Sequence, residues 1–349
     1  MDNKLTRQGA SGESAHVRPD RVEEQIRLLD EATERFKRRL EEVGHKSTDQ
    51  GGEDLDDLMK ATTRAISEMN RSCNEFEKGV GYNRTVIKKA QIEFREKTAR
   101  FFSQAYFKRA RTWPQGYQGD YEMLEILYDN KPTPDGIGHF IDRYFLSCAI
   151  AVAVRGRKET LRNLLQSELS NRQAPKILDI ACGSCRDLLD LAAEIKSSAA
   201  QIICIDLDSD ALNFSAKRMA DAGLLSHQVQ FRQYNALKMV NAERSRKEFG
   251  LQDVIFSVGL FDYLKDDVLV RLLGSLYNLL TPGGKLITSF KDRRRYDTAD
   301  YHWHLDWDGF FQRTEEDVVH LLQKAGIPVT SLSASREESG VIIFFVAEK

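Results

Sequence analysis

The first part of the chain has the spacing of apolar residues that is typical of amphipathic helices. From Arg21 to Val43, apolar residues recur at intervals of three, four and seven among many Glu and Arg residues. Further helices are predicted over about residues 55–76, 84–112 and 139–169, separated by segments rich in Gly, Pro and Asp. Residues 1–20 contain mostly Ser, Gly and charged residues, which predicts a disordered tail.

The pattern changes after Pro175 to short apolar runs that alternate with helical stretches. The runs KILDIA, QIICIDLD, VQFRQYN, DVIFSVG and KLITSF have the composition of buried strands. A last run, VIIFFVAEK, follows a further helix and is typical of an added edge hairpin. The alternation predicts an α/β protein with a Rossmann-like doubly wound sheet and an N-terminal all-helical domain. The expected domains are the tail (1–20), a helical N-terminal or lid domain (21–170) and an α/β domain (171–349).

Charge and composition narrow the classes of partner. The 349 residues contain 51 Lys and Arg against 53 Asp and Glu, which argues against a nucleic-acid partner. No apolar run reaches the ~20 residues of a membrane-spanning helix, so no membrane partner is expected. The five cysteines do not resemble a secreted disulfide framework, and the N-terminus lacks the apolar region of a signal peptide. A cytoplasmic protein is therefore predicted.

The run ILDIACGSC is the most informative stretch for chemistry. The first predicted strand ends at Asp179 and passes through small residues into a helix, where free backbone N–H groups can face a ligand. Roughly 20 residues after this loop, the second predicted strand ends at Asp206. A carboxylate at that position can accept both hydroxyls of a ribose. The pattern predicts a nucleoside-containing ligand at this edge of the sheet.

Taken together, these features resemble the class I S-adenosylmethionine-dependent methyltransferases, whose first loop reads acid-x-Gly-x-Gly-x-Gly. Here the loop runs from Asp179 to Cys185 and keeps only the central glycine, Gly183. Ala181 replaces the first glycine, and Cys185 has a Cβ where the family often has none, so we expect no positive φ at Cys185. A nicotinamide fingerprint matches less well, because neither outer glycine is present.

The resemblance implies S-adenosyl-L-methionine as the cofactor and assigns residues to it. Leu207 would pack on the adenine, and Asn235 with Ala236 would lie at the third-strand turn near its amino group. Ser257 and Gly259 would lie beneath the sulfonium, at the end of the fourth strand. The complete set of expected cofactor-binding residues is Tyr117, Asp179, Ala181, Gly183, Asp206, Leu207, Asn235, Ala236, Ser257 and Gly259.

Cys182 and Cys185 also form a Cys-x-x-Cys pair. Such a pair can bind zinc or carry thiol–disulfide chemistry at a strand-to-helix turn. A structural zinc site needs two further ligands, and the sequence contains no second Cys-x-x-Cys pair. Both cysteines can equally be small packing residues. We favour the methyltransferase loop and predict no metal site.

A second, narrower resemblance covers about residues 82–169. The runs GYQGDYEMLEILY and GIGHFIDRYFLSCAIAVAVRGRKETL are similar to the front half of bacterial 3-hydroxy fatty acid methyl ester (quorum-signal) synthases. The same relatives carry a Trp-rich segment after the fifth strand, which here reads HWHLDWDGFFQRTEED. The resemblance implies that the helical part is a lid over the active site, with the Gly-flanked loop from Tyr117 to Tyr121 closing on the ligand.

These two segments provide the candidates for catalysis and acceptor binding. The expected catalytic residues are Tyr121, His302 and Asp306, and the expected substrate-binding residues are Asp120, Asp262, Arg293, Trp303 and Trp307. Structural alternatives stay open for several of them. Asp120 can instead cap a helix, Tyr121 can be a core aromatic residue, and Arg293 can lie in an exposed basic turn.

The predicted activity is methylation of a small molecule, in keeping with secondary metabolism. The resemblance favours O-methylation of the carboxylate of a (hydroxy) acid, which is already ionised at pH 7 and needs positioning more than a base. An alternative is N-methylation of an amino-acid or guanidine acceptor, which needs a group that accepts a proton. A third reading is an inactive cofactor-binding regulatory protein. A homodimer through the N-terminal helices stays open.

Overall fold

The computed structural model describes residues 18–48 and 54–349. The predicted tail therefore lies almost entirely outside the described residues. The predicted first and second helices are α1 (Pro19–Thr48) and α2 (Leu55–Gly79). Asp54 caps α2 by accepting a hydrogen bond from the Asp56 N–H, which satisfies one of the free donors at a helix start.

Two helices that the apolar spacing predicts as continuous are each divided. The predicted helix 84–112 consists of α3 (Arg84–Thr98), a 3-10 turn (Ala99–Phe101) and α4 (Ala105–Thr112). The predicted helix 139–169 consists of α6 (Gly136–Leu146) and α7 (Ala149–Asn171), and α5 (Tyr121–Asp129) precedes them. Phe101 and Phe102 are both buried at the first break, so the apolar pattern continues through it although the helix stops.

The α/β part contains a seven-stranded sheet in the order β3-β2-β1-β4-β5-β7-β6. Its first five strands are parallel, and the last two form an antiparallel hairpin beside β5. The strands are β1 (Lys176–Ile180), β2 (Gln201–Asp206), β3 (Val229–Gln233), β4 (Gln252–Ser257), β5 (Leu280–Lys291), β6 (Leu332–Arg336) and β7 (Ile342–Glu348). The predicted α/β fold with helices preceding it is confirmed.

The remaining helices mostly connect these strands. They are α8 (Arg186–Leu189), α9 (Ala192–Ser197), α10 (Ser209–Asp221), α11 (Ala242–Phe249), α12 (Asp266–Asn278), α13 (Ala299–His302) and α14 (Glu315–Lys324). The strand order reverses between β1 and β4, which are neighbours in the sheet. Parallel sheets of this kind bind ligands at such a reversal, beyond the carboxyl ends of the strands.

The chain forms two compact units whose boundaries differ from the predicted domains. The helical unit contains the described residues up to Gln104 together with 133–144 and 299–306. The α/β unit contains residues 105–132, 145–298 and 307–349. Helix α7, which we predicted as part of the helical domain, contacts α5, α8, α9 and β7 in the α/β unit. Its buried side chains therefore belong to the core beside the sheet.

Each unit has its own core. In the helical unit, the rings of Phe36, Phe94 and Phe102 surround the imidazole of His304 with centroid distances of 5.1 to 5.9 Å. In the α/β unit, buried leucines of α12 pack against strands β1, β4 and β5. Within the described residues, no single helix is long and apolar enough to span a membrane, and only the bent pair α6 and α7 passes that test jointly.

Candidate cofactor and acceptor site

The loop after β1 has the positive φ values of a glycine-rich turn at three positions, although only the central one is a glycine. Ala181, Gly183 and Cys185 have φ values of +56°, +53° and +47°. Our expectation that Cys185 would not adopt a positive φ is therefore wrong. A residue with a Cβ costs roughly 1–2 kcal/mol in the left-handed region, and such cost is typical of functional sites. The turn is closed by a hydrogen bond from the Cys185 N–H to the Cys182 carbonyl, at 3.0 Å.

The loop and the end of β2 are joined through Asp206. Its carboxylate accepts hydrogen bonds from the Gly183 N–H at 2.9 Å and the Asp208 N–H at 3.0 Å. Ser215 of α10 holds the loop from the other side by donating to the Gly183 carbonyl at 2.8 Å. Burial raises the pKa of Asp206, and the two N–H donors oppose that rise. The carboxylate is thus fixed at the place where a ribose is expected.

Asp179 ends β1 in a buried position next to the loop thiols. Its side chain is 3% exposed, and its carboxylate accepts from the Cys185 Sγ–H at 3.9 Å. Burial raises its pKa well above the usual range, and the nearby negative charges of Cys185, Asp187 and Asp206 add to the rise. The predicted position of Asp179 at the cofactor loop agrees with this geometry.

The other expected cofactor residues lie along the same edge of the sheet. Leu207 is 64% exposed beyond β2, as expected for a side chain that packs on an adenine. Asn235 caps a 3-10 turn that begins at Ala236, accepting from the Leu237 N–H at 2.9 Å. Ser257 donates to the carbonyl of Ile180 at 2.8 Å and so ties β4 to β1. The side chains of Asn235 and Ser257 thus hold nearby backbone in place at this edge of the sheet.

The segment from Trp113 to Tyr121 crosses over this edge within the α/β unit. The hydroxyl of Tyr117 donates to Asp208 at 2.9 Å, just after β2. A Cβ on Gly119 would lie 2.9 Å from the ring of Trp307 and 3.3 Å from the hydroxyl of Tyr263, beyond β4. The segment therefore runs from the ribose end to the β4 end of the expected cofactor site. Gly119 is required because backbone and rings approach so closely there.

Trp307 and Tyr263 lie at the β4 end of the segment from Trp113 to Tyr121, which covers this edge of the sheet. The indole Nε1–H of Trp307 donates to the hydroxyl of Tyr263 at 2.9 Å. Burial raises the pKa of Tyr263, so its hydroxyl stays protonated at neutral pH. Trp307 is 6% exposed, and its contact with an acceptor stays a prediction.

Helix α5 covers the β1 loop itself. A Cβ on Gly183 would meet the side chain of Leu124 at 3.6 Å, an ordinary contact distance. Glu125 forms ion pairs with Arg186 at 2.7 Å and Arg218 at 3.0 Å, on either side of the loop. The segment 113–121 and α5 both belong to the α/β unit.

Arg157 of α7 is a site residue that we missed in the sequence. Its guanidinium is 4% exposed, donates to the Val258 carbonyl at 2.5 Å and reaches the Tyr128 hydroxyl at 3.5 Å. Among the described residues, no carboxylate lies within ion-pair distance of it and its Nε has no hydrogen-bond partner. The carboxyl of Asp187 interacts with this charge electrostatically but forms no ion pair with it. A buried cation without a contacting anion is costly, so this position favours a bound anion.

A sequence signal for Arg157 exists in the helical periodicity. Ile150, Val154, Arg157 and Leu161 follow one face of α7, and all four are buried. A charged residue on an apolar stripe must find a partner or a ligand. To see this signal, one must know that α7 begins at Ala149, and the apolar spacing predicted one continuous helix over 139–169 instead.

Asp187, in the first turn of α8, is a second missed candidate. Burial raises its pKa to about 7, with a contribution from the negative charge of Cys185. The positive charge of Arg157 acts in the opposite direction. A carboxylate with a pKa near neutrality can accept a proton in general base catalysis. Its sequence position after the loop gave no indication of this shift.

Two of the predicted substrate-binding residues, Asp120 and Asp262, form ion pairs inside the α/β unit. Asp120 caps α5, accepting from the Met123 N–H at 2.9 Å, and pairs with Arg109 at 2.7 Å. Asp262 forms a buried ion pair with Lys291 at 2.5 Å. Both carboxylates therefore already have cationic partners, and their assignment to substrate binding stays a prediction. The structural alternative for Asp120 thus describes it better.

Tyr121 and Arg293 also differ from the prediction. The Tyr121 hydroxyl donates to Glu122 at 3.0 Å, and burial raises its pKa to about 12, which makes it a poor base at neutral pH. Arg293 is exposed in a 3-10 turn with Arg294 and Arg295. The exposed-turn alternative describes Arg293.

His302, Trp303 and Asp306 lie in the helical unit. Trp303 is fully buried and donates from Nε1 to Glu77 at 2.8 Å. Asp306 pairs with Lys88 at 2.8 Å and with Arg95 at 2.9 Å. Arg95 also donates to the carbonyl of His302 at 3.0 Å. Packing and charge pairing within the helical unit involve the side chains of Trp303 and Asp306 and the backbone of His302. The catalytic and acceptor roles of these residues stay predictions.

Comparison with known proteins agrees with this geometry. Residues 177–284 match the family model of the methyltransferase domain. The match covers β1 to the first half of β5 and so includes the β1 loop, Asp206, Asn235 and Gly259. No curated protein matches the chain.

Solved structures resemble the chain at low sequence identity. A protein of Bordetella parapertussis, described as a possible exported protein, is 19% identical over 97% of this chain and 99% of its own, with a TM-score of 0.54. The magnesium protoporphyrin IX methyltransferase ChlM of Synechocystis, with bound SAH, is 14% identical over 70% of this chain and 97% of its own, with a TM-score of 0.47. The first likeness shows a shared fold over nearly the whole chain.

The family match and the β1–β2 geometry identify the fold and the cofactor. The fold is that of a class I methyltransferase, and the cofactor is S-adenosyl-L-methionine. The positive φ values of the β1 loop, the fixed carboxylate of Asp206 and the exposed Leu207 suit this cofactor.

Proposed function

We propose that the protein is an S-adenosyl-L-methionine-dependent methyltransferase that methylates the carboxylate of a small acid. The observation that carries the proposal is the buried guanidinium of Arg157, which lies at the end of β4 beside Gly259 and forms no ion pair among the described residues. A carboxylate is the simplest anion that matches a guanidinium in charge and planar geometry. The resemblance to 3-hydroxy fatty acid methyl ester synthases supports a hydroxy acid as the acceptor.

The protein's own contribution to such a reaction is positioning and exclusion of water. S-adenosyl-L-methionine supplies an electrophilic methyl group when bound. Arg157 binds one oxygen of the acceptor carboxylate and leaves the other to attack. Tyr117, Gly119 and Trp307 cover the site, which strengthens the interaction between guanidinium and carboxylate by removing water. No proton transfer is needed, because the acceptor is ionised at neutral pH.

A second candidate is N-methylation of an amino-acid or guanidine acceptor. The raised pKa of Asp187, about 7, supports it, because an amine must lose a proton before it attacks. In that case Arg157 would bind the carboxylate of an amino acid while its amine is methylated. The inactive regulatory protein is a weaker proposal, since Gly183 and Asp206 keep their mutual contact.

The test is turnover with labelled S-adenosyl-L-methionine on matched pairs of acceptors, hydroxy acids against their amides and amino acids against their N-methylated forms. Mass spectrometry then locates the methyl group. Methyl esters support the first proposal, and N-methyl products support the second. Asp206→Ala should weaken S-adenosylhomocysteine binding by about tenfold or more in calorimetry, because two hydroxyl contacts are lost. Asp221→Ala is the matched control, because Asp221 is exposed at the end of helix α10, which follows β2.

Other parts of the proposal concern the setting of the enzyme. We infer a cytoplasmic protein of secondary metabolism, since all five cysteines are free thiols. A homodimer through the N-terminal helices and a lid function for the helical unit remain parts of the same proposal. Size-exclusion chromatography with light scattering tests the dimer.

A further inference from the structure

Three cysteines cluster beneath the β1 loop, and the proposed reaction uses none of them. Cys182 and Cys185 belong to the loop, and Cys204 of β2 lies opposite Asp179 of β1 in the strand register. The side-chain ligand atoms of Asp179, Cys182 and Cys185 all lie within 4.8 Å of one another. The thiol of Cys204 hydrogen-bonds those of both loop cysteines. The sulfur atoms are thus close together at the cofactor loop.

The backbone of the loop permits a disulfide between Cys182 and Cys185. The hydrogen bond from the Cys185 N–H to the Cys182 carbonyl, at 3.0 Å, is that of a four-residue turn. Such turns bring the first and fourth Cα atoms to within about 7 Å, and disulfides span Cα distances of about 4.4–6.8 Å. The two sulfurs are at most 4.8 Å apart, whereas a disulfide bond is about 2.05 Å long, so its formation needs rotation of both side chains and a shift of the turn between them.

The two thiols differ in access and in ionisation. Cys182 is partly exposed, whereas Cys185 and Cys204 are buried. Hydrogen bonds from Cys182 and Cys204 lower the pKa of Cys185, with smaller contributions from Ser215 and the charge of Arg218. Exposure makes Cys182 the thiol that a solvent-borne oxidant reaches, although hydrogen bonding to Cys185 and Cys204 raises the pKa of Cys182. The lowered pKa of Cys185 makes it the nucleophile beside Cys182.

We propose that Cys182 and Cys185 form a reversible disulfide that lowers the affinity of the protein for S-adenosyl-L-methionine. This inference rests on the proposed function, because it concerns regulation of the same site. A hydroperoxide transfers one oxygen atom to the sulfur of Cys182, which becomes a sulfenic acid. The O–O bond of the hydroperoxide breaks, and the rest of the hydroperoxide leaves as water or an alcohol. The Cys185 thiolate attacks the Cys182 sulfur, the S–S bond forms, and the sulfenic oxygen leaves as water after taking up a proton.

The disulfide acts on cofactor binding through Gly183. This residue lies inside the ring that the disulfide closes, and its N–H donates to Asp206 at 2.9 Å. Its carbonyl accepts from Ser215 at 2.8 Å. Drawing the two sulfurs to bonding distance moves the backbone between them, so these contacts and the position of the ribose carboxylate change together. A thiol reductant restores the original turn.

The experiment compares reduced, peroxide-treated and re-reduced protein. Trypsin releases both loop cysteines in one peptide, Ile177–Arg186, and Cys204 in another, Ser197–Lys217. We expect peroxide to make the first peptide lighter by two hydrogen atoms and to weaken S-adenosylhomocysteine binding by about tenfold or more in calorimetry. Dithiothreitol should reverse both changes. Cys204→Ser should keep this response, whereas Cys182→Ser should abolish it.

Several outcomes would overturn the switch. They are a disulfide that leaves the affinity unchanged, an unchanged peptide mass after peroxide treatment, and a cross-link between the two peptides. Stoichiometric zinc in the reduced protein would also overturn it, in favour of a metal site formed by the same side chains. These measurements on the wild-type protein do not depend on how the variants fold. Reduced protein that does not bind S-adenosylhomocysteine would instead contradict the proposed function.

Discussion

An enclosed carboxylate of the helical unit and an enclosed guanidinium of the α/β unit differ in how their charges are paired. In the helical unit, the carboxylate of Asp306 lies between Lys88 and Arg95, at 2.8 and 2.9 Å. In the α/β unit, Arg157 is 4% exposed and has no carboxylate within ion-pair distance among the described residues. Charges that are balanced inside the protein stabilise its structure, whereas an unbalanced buried charge is available to a ligand. The comparison separates structural residues from site residues better than residue type does.

The largest effect is expected at Arg157. Arg157→Met should lower kcat/KM by about 100-fold, because an acceptor carboxylate would lose its charged partner. The free energy of unfolding without ligand should change by less than about 1 kcal/mol, since an unpaired charge is removed and Ser289 still donates to the Val258 carbonyl. Steady-state kinetics and urea denaturation measure the two effects.

A neighbouring arginine of the same helix provides the control. Arg155 donates to the Leu146 carbonyl at 2.7 Å, away from β4. Arg155→Met should therefore leave kcat/KM within about twofold of the wild-type value. If Arg157→Met loses stability but keeps its activity, the distinction between the two units is contradicted.

Asp306 should show the reverse pattern. Asp306→Asn should lower the free energy of unfolding by about 1–2 kcal/mol, because the charges of Lys88 and Arg95 lose their counter-ion in a site that is only partly exposed. S-adenosylhomocysteine affinity should not change. Thermal denaturation and calorimetry on the same preparation measure both. A loss of turnover at unchanged stability would return Asp306 to the catalytic residues.

The pH dependence of turnover distinguishes the two acceptor types. If Asp187 is the base for an amine acceptor, kcat/KM should rise about tenfold from pH 6 to pH 8, because its pKa of about 7 lies between them and only the ionised form accepts a proton. For a carboxylate acceptor the profile should be flat, since the acid is ionised throughout this range. A rise that persists in Asp187→Asn would assign it to another group.

The smallest effect concerns the β1 loop. Ala181 has a φ of +56°, where glycine has no Cβ penalty. Ala181→Gly should change the free energy of unfolding by less than about 1 kcal/mol, because relief of the left-handed cost is offset by the greater freedom of glycine in the unfolded chain. Gly183→Ala, which introduces that cost at φ +53°, should destabilise by about 1–2 kcal/mol, more than Ala181→Gly. Equal losses in both variants would contradict this account of the loop.

Features that depend on short stretches of chain could be predicted from the sequence. Strand identity follows from local apolar runs, and the loop from Asp179 to Cys185 with Asp206 after it follows from the order of parallel strands. The positive φ at Cys185 was not predicted, because the residue type argues against it and only the closure of the turn requires it. Residue type made Trp303 and Asp262 candidates for the site. In the structure, Trp303 donates to Glu77 and Asp262 pairs with Lys291, which residue type alone does not indicate.

By itself, the sequence determined the α/β fold, the loop after β1 and the position of the carboxylate that we expect to bind a ribose, because each rests on residues close together in the chain or on the periodicity of one element. Only the tertiary structure decided which charges are neutralised and which are left for a ligand. Arg95 of α3 meets Asp306 across more than half of the chain, while Arg157 meets no carboxylate among the described residues. Partner choice depends on long-range packing and burial, which a local pattern does not encode.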